Sequence, residues 1–194
     1  MKYENEITVE VNMSLEELKE HLKKLNFTIN EEYDLNDIYM LDKNFKDEEN
    51  YLELLKKCIL IRHIIEVDKE TKYITYKYKE YNENKEIVKQ GKVNCPIDSI
   101  DKAISLFEAL NYEKLISIND HVIAYSNDID EFIVQYVNDK HIYIEIEDKC
   151  SFLNKTYETI DDMKDVIKKY NIPIKGDNYF VKKAEIELIE KFDN

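Results

Sequence analysis

Apolar and polar residues alternate with a period of two over most of the chain, and this pattern predicts extended strands. Eight such segments are expected, over residues 3–12, 28–41, 58–67, 72–81, 86–95, 113–125, 130–138 and 141–148. Strands that follow one another along a chain usually become neighbours in a sheet. The sequence therefore predicts an α+β fold that is built on eight antiparallel strands.

Three segments instead show the period of an amphipathic helix. The first runs to Leu25 and opens with a capping box at Ser14 and Glu17; the others cover residues 99–110 and the stretch after Thr159. Shorter helices are expected over residues 49–57 and 182–192. All three long helices stop at an asparagine, a residue that tolerates the left-handed conformation of a helix C-cap: Asn26, Asn111 and Asn171.

Length and charge limit the classes of function. The chain has 194 residues, which fits one domain over 1–194, and its formal net charge is −14. A charge of this sign repels nucleic acid at long range, so we expect no nucleic-acid partner. No apolar run is long enough to span a membrane and the start lacks a signal-peptide core, so a cytoplasmic location is expected. Oligomeric state leaves no trace in the sequence.

The alternation also assigns the charged residues of each strand to a face. Glu4 and Glu6 share one face of the first strand, and Glu145 and Glu147 share one face of the last. Cationic and hydroxyl side chains take the corresponding positions between them: Arg62, Thr75, Lys77 and Lys79. An open sheet with one solvated face explains this pattern. The number of such strands, and the helices available to cover their apolar faces, favour the alternative of a closed barrel, with helices packed outside and the polar faces enclosing a small ligand.

The two Glu-x-Glu pairs are the most specific feature. Carboxylates two residues apart on a strand point the same way, about 6.5 to 7 Å apart. Four carboxylates that converge inside a barrel repel one another unless a cation joins them, and hard oxygen ligands suit Mg²⁺ or Mn²⁺. Arg62, Lys77 and Lys79 would then bind phosphate oxygens, and Thr75 is expected to bind the substrate beside them.

These motifs, in this order, resemble those of the CYTH proteins, also called triphosphate tunnel metalloenzymes. The family's E-x-E-x-K strand is matched at Glu4-Asn5-Glu6-Ile7-Thr8, and its L-R-I-R strand at Ile59-Leu60-Ile61-Arg62. Its L-T-x-K strand is matched at Ile74-Thr75-Tyr76-Lys77, and its late E-I-E strand at Glu145-Ile146-Glu147. The resemblance spans nearly the whole chain. It implies a closed eight-stranded tunnel in which glutamates bind metal and basic side chains bind a triphosphate.

The chain departs from that family at several basic positions. Thr8 and Leu60 replace a lysine and an arginine, and the paired basic positions of the sixth strand fall on Asn119 and His121. A metal-linked aspartate of the family falls on Gln135. We expect His121 to face the ligand as a substrate-binding side chain that is charged only below its pKa.

Three functions follow as hypotheses. The first is metal-dependent hydrolysis of a small triphosphate, with Glu4, Glu6, Glu145 and Glu147 as metal ligands and Arg62 and Lys77 as phosphate ligands. The second is a binding or regulatory protein that keeps the tunnel but has lost efficient chemistry, because so few cations are left. The third is adenylate cyclase activity, for which no positioned general base can be identified in the sequence.

Overall fold

Eight antiparallel strands form one sheet in a computed structural model of the chain. The model describes the backbone of residues 5–46, 48–81 and 87–193, and the side chains of these residues except 79–81 and 87–90. The strands are β1 (Glu6–Glu10), β2 (Thr28–Asp42), β3 (Ile59–Ile65), β4 (Glu70–Tyr81), β5 (Ile87–Pro96), β6 (Tyr112–Ser126), β7 (Glu131–Val137) and β8 (His141–Glu147). Their order in the sheet is β1-β8-β7-β6-β2-β3-β4-β5. The predicted α+β class and antiparallel pairing are therefore confirmed.

Hydrogen bonds do not close this sheet into the expected barrel. Strands β1 and β5 stand at its two ends, and within the described part of the chain no ladder joins them. The edge of β1 is covered instead by the segment that leads to the C-terminal helix. Thr8 N donates to Tyr179 O at 3.0 Å, and Val181 N donates to Thr8 O at 3.0 Å.

The helices are α1 (Leu15–Lys24), α2 (Tyr51–Lys57), α3 (Ile100–Ala109), α4 (Ile160–Lys169) and α5 (Lys183–Phe192). The capping box of Ser14 and Glu17 is present. The predicted asparagine caps are confirmed, because Asn26, Asn111 and Asn171 have φ values of 61°, 69° and 50°. Within the described residues, none of these helices combines the length and the apolar character needed to cross a membrane.

Three helices cover the outer face of the sheet. Leu18 and Leu22 of α1, together with Met163 and Ile167 of α4, pack in the core cluster that contains the outward side chains of β1 and β8. Phe107 of α3 packs in a second cluster over β2 and β3. Burying these apolar stripes is what holds the outer layer.

Helix α5 lies on the opposite, inner face, so the expectation that all helices pack outside is wrong. Leu188 is fully buried among inward side chains of β6, β7 and β8: Ile116, Ile118, Val137 and Tyr143. Helix α2 contacts α5 at this end, where the Tyr51 hydroxyl donates to Asp193 Oδ1 at 2.6 Å. These two helices close one end of the space that the sheet surrounds.

Candidate active site

The inner face of the sheet, with α2 and the start of α5, surrounds a cavity of ≈ 480 Å³. Residues from all eight strands line it. A volume in this range suits a small-molecule ligand. Several of the polar side chains that the sequence placed on shared strand faces therefore line one space: Glu6, Arg62, Lys77, Glu145 and Glu147.

Three glutamates meet on one wall of this cavity. Glu6 lies opposite Glu147 in the β1–β8 ladder, and Thr8 lies opposite Glu145. One carboxylate oxygen from each of Glu6, Glu145 and Glu147 can be chosen so that all three lie within 4.8 Å of one another. This proximity brings together three of the four predicted metal ligands. The fourth, Glu4, lies outside the described residues.

Gln135 of β7 lies beside this cluster, where the family resemblance placed a metal-linked aspartate. Its amide nitrogen Nε2 faces Glu145 Oε2 at 3.5 Å, and its oxygen Oε1 accepts a hydrogen bond from Lys183. Gln135 thus connects the carboxylate wall to the first residue of α5.

Arg62 points into the cavity but already has an anionic partner. Its Nε and Nη2 groups donate to the two carboxylate oxygens of Asp37 at 2.7 and 2.6 Å. Burial acts to raise the pKa of Asp37, but the Arg62 guanidinium outweighs it and holds that pKa below its usual value. Asp37 lies opposite Arg62 in the β2–β3 ladder. The sequence analysis missed this pairing, although the parity of β2 puts Asp37 on the inner face.

Further cations line the cavity from elements that carry no family motif. Lys77 of β4 lies opposite Lys92 of β5, and both line the cavity. The others come from the end of α2 and the start of α5: Lys56, Lys57, Lys182 and Lys183. With Arg62, the described lining contains seven cationic side chains against five carboxylates. The site therefore has more cations than the strand motifs alone indicated.

Three of the predicted substrate-binding residues are not among the described side chains that line the cavity. His121 lies on the other face of β6, where its ring nitrogens contact Glu32 at 3.0 Å and Asp34 at 2.9 Å. Thr75 is fully buried and its hydroxyl donates to Asn94 Oδ1 at 2.9 Å. The side chain of Lys79 lies outside the described part of the chain. In β6 the inward positions belong to Ile118 and Asp120 instead of Asn119 and His121.

Asp120 is the buried acid that this register brings into the cavity. Its side chain is 3% exposed, and Lys183 Nζ lies 3.3 Å from its Oδ2. Oxygen Oδ1 is buried and has no hydrogen-bond partner among the described residues. Burial raises the pKa of Asp120 above its usual value, and Lys183 opposes that effect only in part. An unsatisfied carboxylate oxygen in a cavity wall marks a place where a ligand or water completes the hydrogen bonding.

The donor set on the glutamate wall fits a divalent cation. Glu6, Glu145 and Glu147 offer only carboxylate oxygens, which Mg²⁺ and Mn²⁺ prefer. Mg²⁺ keeps several waters and shares its ligands with substrate phosphates, so three carboxylates beside a cationic cavity suffice. The amide of Gln135 adds a neutral group next to them.

Comparisons with known proteins give a fold but no sequence family. No protein-family model and no curated protein matches the chain. The PH1819 protein of Pyrococcus horikoshii OT3 has a similar structure, with a TM-score of 0.71, 16% identity, and coverage of 97% of this chain and 99% of that one.

Two further neighbours have names that mention an activity. A candidate adenylate cyclase of Vibrio parahaemolyticus has a TM-score of 0.56 and 11% identity, over 96% of this chain and 98% of its own. HpAC1 of Hippeastrum, a candidate adenylyl cyclase described as having a dominant triphosphatase activity, has a TM-score of 0.58 and 10% identity, over 97% and 96%. The chain thus shares its fold with these proteins, in agreement with the CYTH-like fold that the sequence resemblance implied.

Proposed function

We propose that the chain hydrolyses a small triphosphate, either inorganic tripolyphosphate or a nucleoside triphosphate, with the help of Mg²⁺ or Mn²⁺. The observation that carries this proposal is the meeting of Glu6, Glu145 and Glu147, with one carboxylate oxygen of each within 4.8 Å of the others, on the wall of the cavity. Carboxylates crowded in this way favour a bound cation. The cavity that they face has room for a ligand of three phosphates.

The local charge supports an anionic ligand. The whole chain has a net charge of −14, yet the described lining of the cavity has seven cations and five carboxylates. With a divalent ion on the glutamates, the cavity would be strongly positive inside an acidic protein. A cleft of one sign with low-dielectric walls concentrates ligands of the opposite sign.

Each part of the lining has a role in this reaction. Glu6, Glu145 and Glu147 would hold a divalent metal ion, which when bound would supply positive charge for the phosphate oxygens. Asp37 holds Arg62 in one orientation by accepting hydrogen bonds from its Nε and Nη2 groups. Phosphate oxygens would therefore bind the remaining N–H groups of the guanidinium. Lys77, Lys92, Lys182 and Lys183 supply point charges around the phosphate chain.

The reaction itself is a hydrolysis. The oxygen of a water molecule bonds to the terminal phosphorus while the bond from that phosphorus to the bridging oxygen breaks. Orthophosphate and the shortened phosphate chain leave, and the proton that water loses passes to solvent. The chain contributes position and electrostatic stabilisation and forms no covalent intermediate.

The test is phosphate release from tripolyphosphate and ATP, with Mg²⁺ or Mn²⁺, by the full chain and two variants. Glu145→Gln and Glu6→Gln each remove one charged ligand, and we expect a loss of about 100-fold in kcat/KM, since a charge-assisted contact contributes about 1.5–3 kcal/mol. Glu113→Gln is the matched control, because Glu113 is an exposed strand glutamate of β6 away from the cavity. Turnover that persists in both cavity variants would refute the assigned site.

A second candidate, a binding protein without turnover, is favoured by one observation. Asp37 already neutralises the positive charge of Arg62, the arginine that a phosphate group would bind. Thermal unfolding with tripolyphosphate, ATP and metal separates the two proposals. Stabilisation by a ligand without phosphate release favours the binding protein. Analysis of the products formed from ATP tests the cyclase hypothesis, since a cyclase releases pyrophosphate and a cyclic nucleotide.

A further inference from the structure

A second group of metal-ligating side chains lies under helix α5, outside the lining of the cavity. His141 comes from β8, and Glu187 and Glu190 come from α5. One ligand atom from each of the three can be chosen so that all lie within 4.8 Å of one another. On the inner face of β8 the alternate residues are His141, Tyr143, Glu145 and Glu147, so the buried ring of Tyr143 separates this group from the cavity glutamates.

His141 is held in the orientation of a metal ligand. The imidazole is 9% exposed, its Nδ1 lies 2.9 Å from Glu10 Oε1, and its Nε2 lies 3.0 Å from Glu190 Oε1. In the tautomer that donates its Nδ1–H to Glu10, Nε2 is the ring nitrogen whose lone pair can bind a metal ion. Metal-binding histidines are commonly oriented by a carboxylate in this way.

Glu187 has a buried oxygen that the described protein groups do not satisfy. Asn138 Nδ2 donates to Glu187 Oε2 at 2.5 Å, whereas Glu187 Oε1 is buried and has no partner among the described residues. The ring nitrogens of His141 face Glu10 and Glu190, so neither of them satisfies Glu187 Oε1. A buried carboxylate oxygen without a partner is costly, and a cation bound here would satisfy it.

The positions along the helix fit a shared ligand. Glu187 and Glu190 are three residues apart, so they lie on the same side of α5. Lys140 pairs with Glu190, and Lys175 pairs with Glu10 at 2.7 Å, but these lysine side chains are 58% and 48% exposed. The ammonium group of Lys140 can therefore turn into solvent when another cation takes its place on Glu190, while Lys175 can stay on Glu10.

We propose that His141, Glu187 and Glu190 bind a divalent transition-metal ion, of which Zn²⁺ is the best fit, and that this ion fixes α5 to β8. One imidazole with two carboxylates suits Zn²⁺ and Co²⁺, whereas Mg²⁺ prefers oxygen ligands alone. Because Lys183 and Ala184 of α5 line the cavity, the ion would also fix that part of its wall. The site is separate from the proposed reaction and does not depend on it.

The test measures Zn²⁺ and Co²⁺ binding to the chelator-treated full chain in excess Mg²⁺, which competes with these ions for the glutamates of the cavity. We expect saturable binding of one ion, a visible Co²⁺ spectrum, and a Zn²⁺-dependent rise in the thermal unfolding midpoint. Glu187→Gln and His141→Gln should each weaken binding at least tenfold. Glu185→Gln, on the same helix but outside the group, should bind as the unmodified chain does.

Glu187→Gln removes a partly buried charge without changing the size of the side chain, so it provides a folded variant if His141→Gln does not fold. Equal Zn²⁺ affinity in the unmodified chain and Glu187→Gln would overturn the proposal, as would a chain that binds no Zn²⁺. Glu145→Gln distinguishes the two sites. Zn²⁺ binding that disappears in Glu145→Gln but persists in Glu187→Gln would place the ion in the cavity, which also overturns the proposal.

Discussion

Asp37 and Asp130 are both buried aspartates, but they lie on opposite sides of the sheet and have different kinds of partner. Asp37 faces the cavity and has one cationic partner, Arg62, in a bidentate pair. Asp130 lies at the start of β7 on the outer side. There it accepts hydrogen bonds from two lysines and two tyrosyl hydroxyls: Lys155, Lys169, Tyr157 and Tyr170.

The difference shows how the two faces use buried charge. On the outer side the four donors come from α4, its C-cap and the loop before it, so Asp130 ties these segments to the start of β7. On the inner side the charges of Asp37 and Arg62 line a cavity in which a ligand can add further contacts. Buried charge thus fixes α4 and its preceding loop to the sheet on the outer face. On the inner face it provides polar groups that can bind a ligand.

The largest expected effect comes from breaking the inner pair. Asp37→Ala leaves the Arg62 guanidinium buried without its carboxylate, so we expect the free energy of unfolding to fall by about 3–5 kcal/mol. Asp34→Ala on the same strand is the matched control. Asp34 is 61% exposed in its pair with His121, and its loss should cost less than about 1 kcal/mol. Urea unfolding measures the free energy of unfolding of both variants. Equal losses would contradict the prediction that the buried pair stabilises the fold more than the exposed pair.

The outer cluster should give a smaller, pH-dependent effect. Burial acts to raise the pKa of Asp130, but its hydrogen bonds with Lys155, Lys169 and Tyr170 lower it to about 2. A carboxyl whose pKa is lowered in the folded state stabilises that state above the unfolded pKa of about 4. That contribution, about 2 kcal/mol, is lost as the pH falls from about 4 through about 2.

Unfolding of the chain and of Asp130→Asn should therefore differ most near neutral pH and converge towards pH 2. Asp128→Asn, a nearby exposed position, serves as the control. A stability difference between the chain and Asp130→Asn that stays constant over this range would show that the carboxylate charge is not what anchors the outer layer.

The smallest effect concerns single cations at the cavity. Lys92 is exposed at the β5 side, so we expect Lys92→Gln to weaken tripolyphosphate binding only about two- to fivefold, the range for a screened surface charge. The loss should shrink as salt is added. Lys102→Gln on the outer helix α3 should have no effect. Calorimetric titration at two salt concentrations measures the tripolyphosphate affinity of both variants. Equal losses of affinity would contradict the prediction that cations of the inner face bind the ligand and those of the outer face do not.

Local patterns in the sequence predicted the elements well, because each depends on neighbouring residues. The capping box at Ser14 and the asparagines at positions 26, 111 and 171 act within one helical turn. The parity of β1, β3, β4 and β8 was likewise sufficient to place Glu6, Arg62, Lys77 and Glu145 towards one space. Strong alternation identifies a buried face wherever one side is apolar throughout.

The remaining features depend on contacts between distant segments. In β6 the inner face carries Ile118 and Asp120, so apolar and polar residues are mixed on one face of the strand. Alternation alone therefore could not identify the inner face, and the predicted register wrongly placed Asn119 and His121 there. The lysines of α2 and α5 reach the cavity only because those helices dock on its open end. No periodicity within either helix specifies that docking, and the inward position of α5 escaped prediction for the same reason.

The place of β1 in the sheet has a consequence for biosynthesis. In the described structure β1 hydrogen-bonds to β8 on one side and to the segment around Tyr179 on the other. A nascent polypeptide that has left the ribosome only as far as β7 offers β1 neither neighbour. The strand that bears Glu6 must therefore wait, unpaired, until residues beyond 141 emerge, and we expect the cavity to assemble after translation of nearly the whole chain.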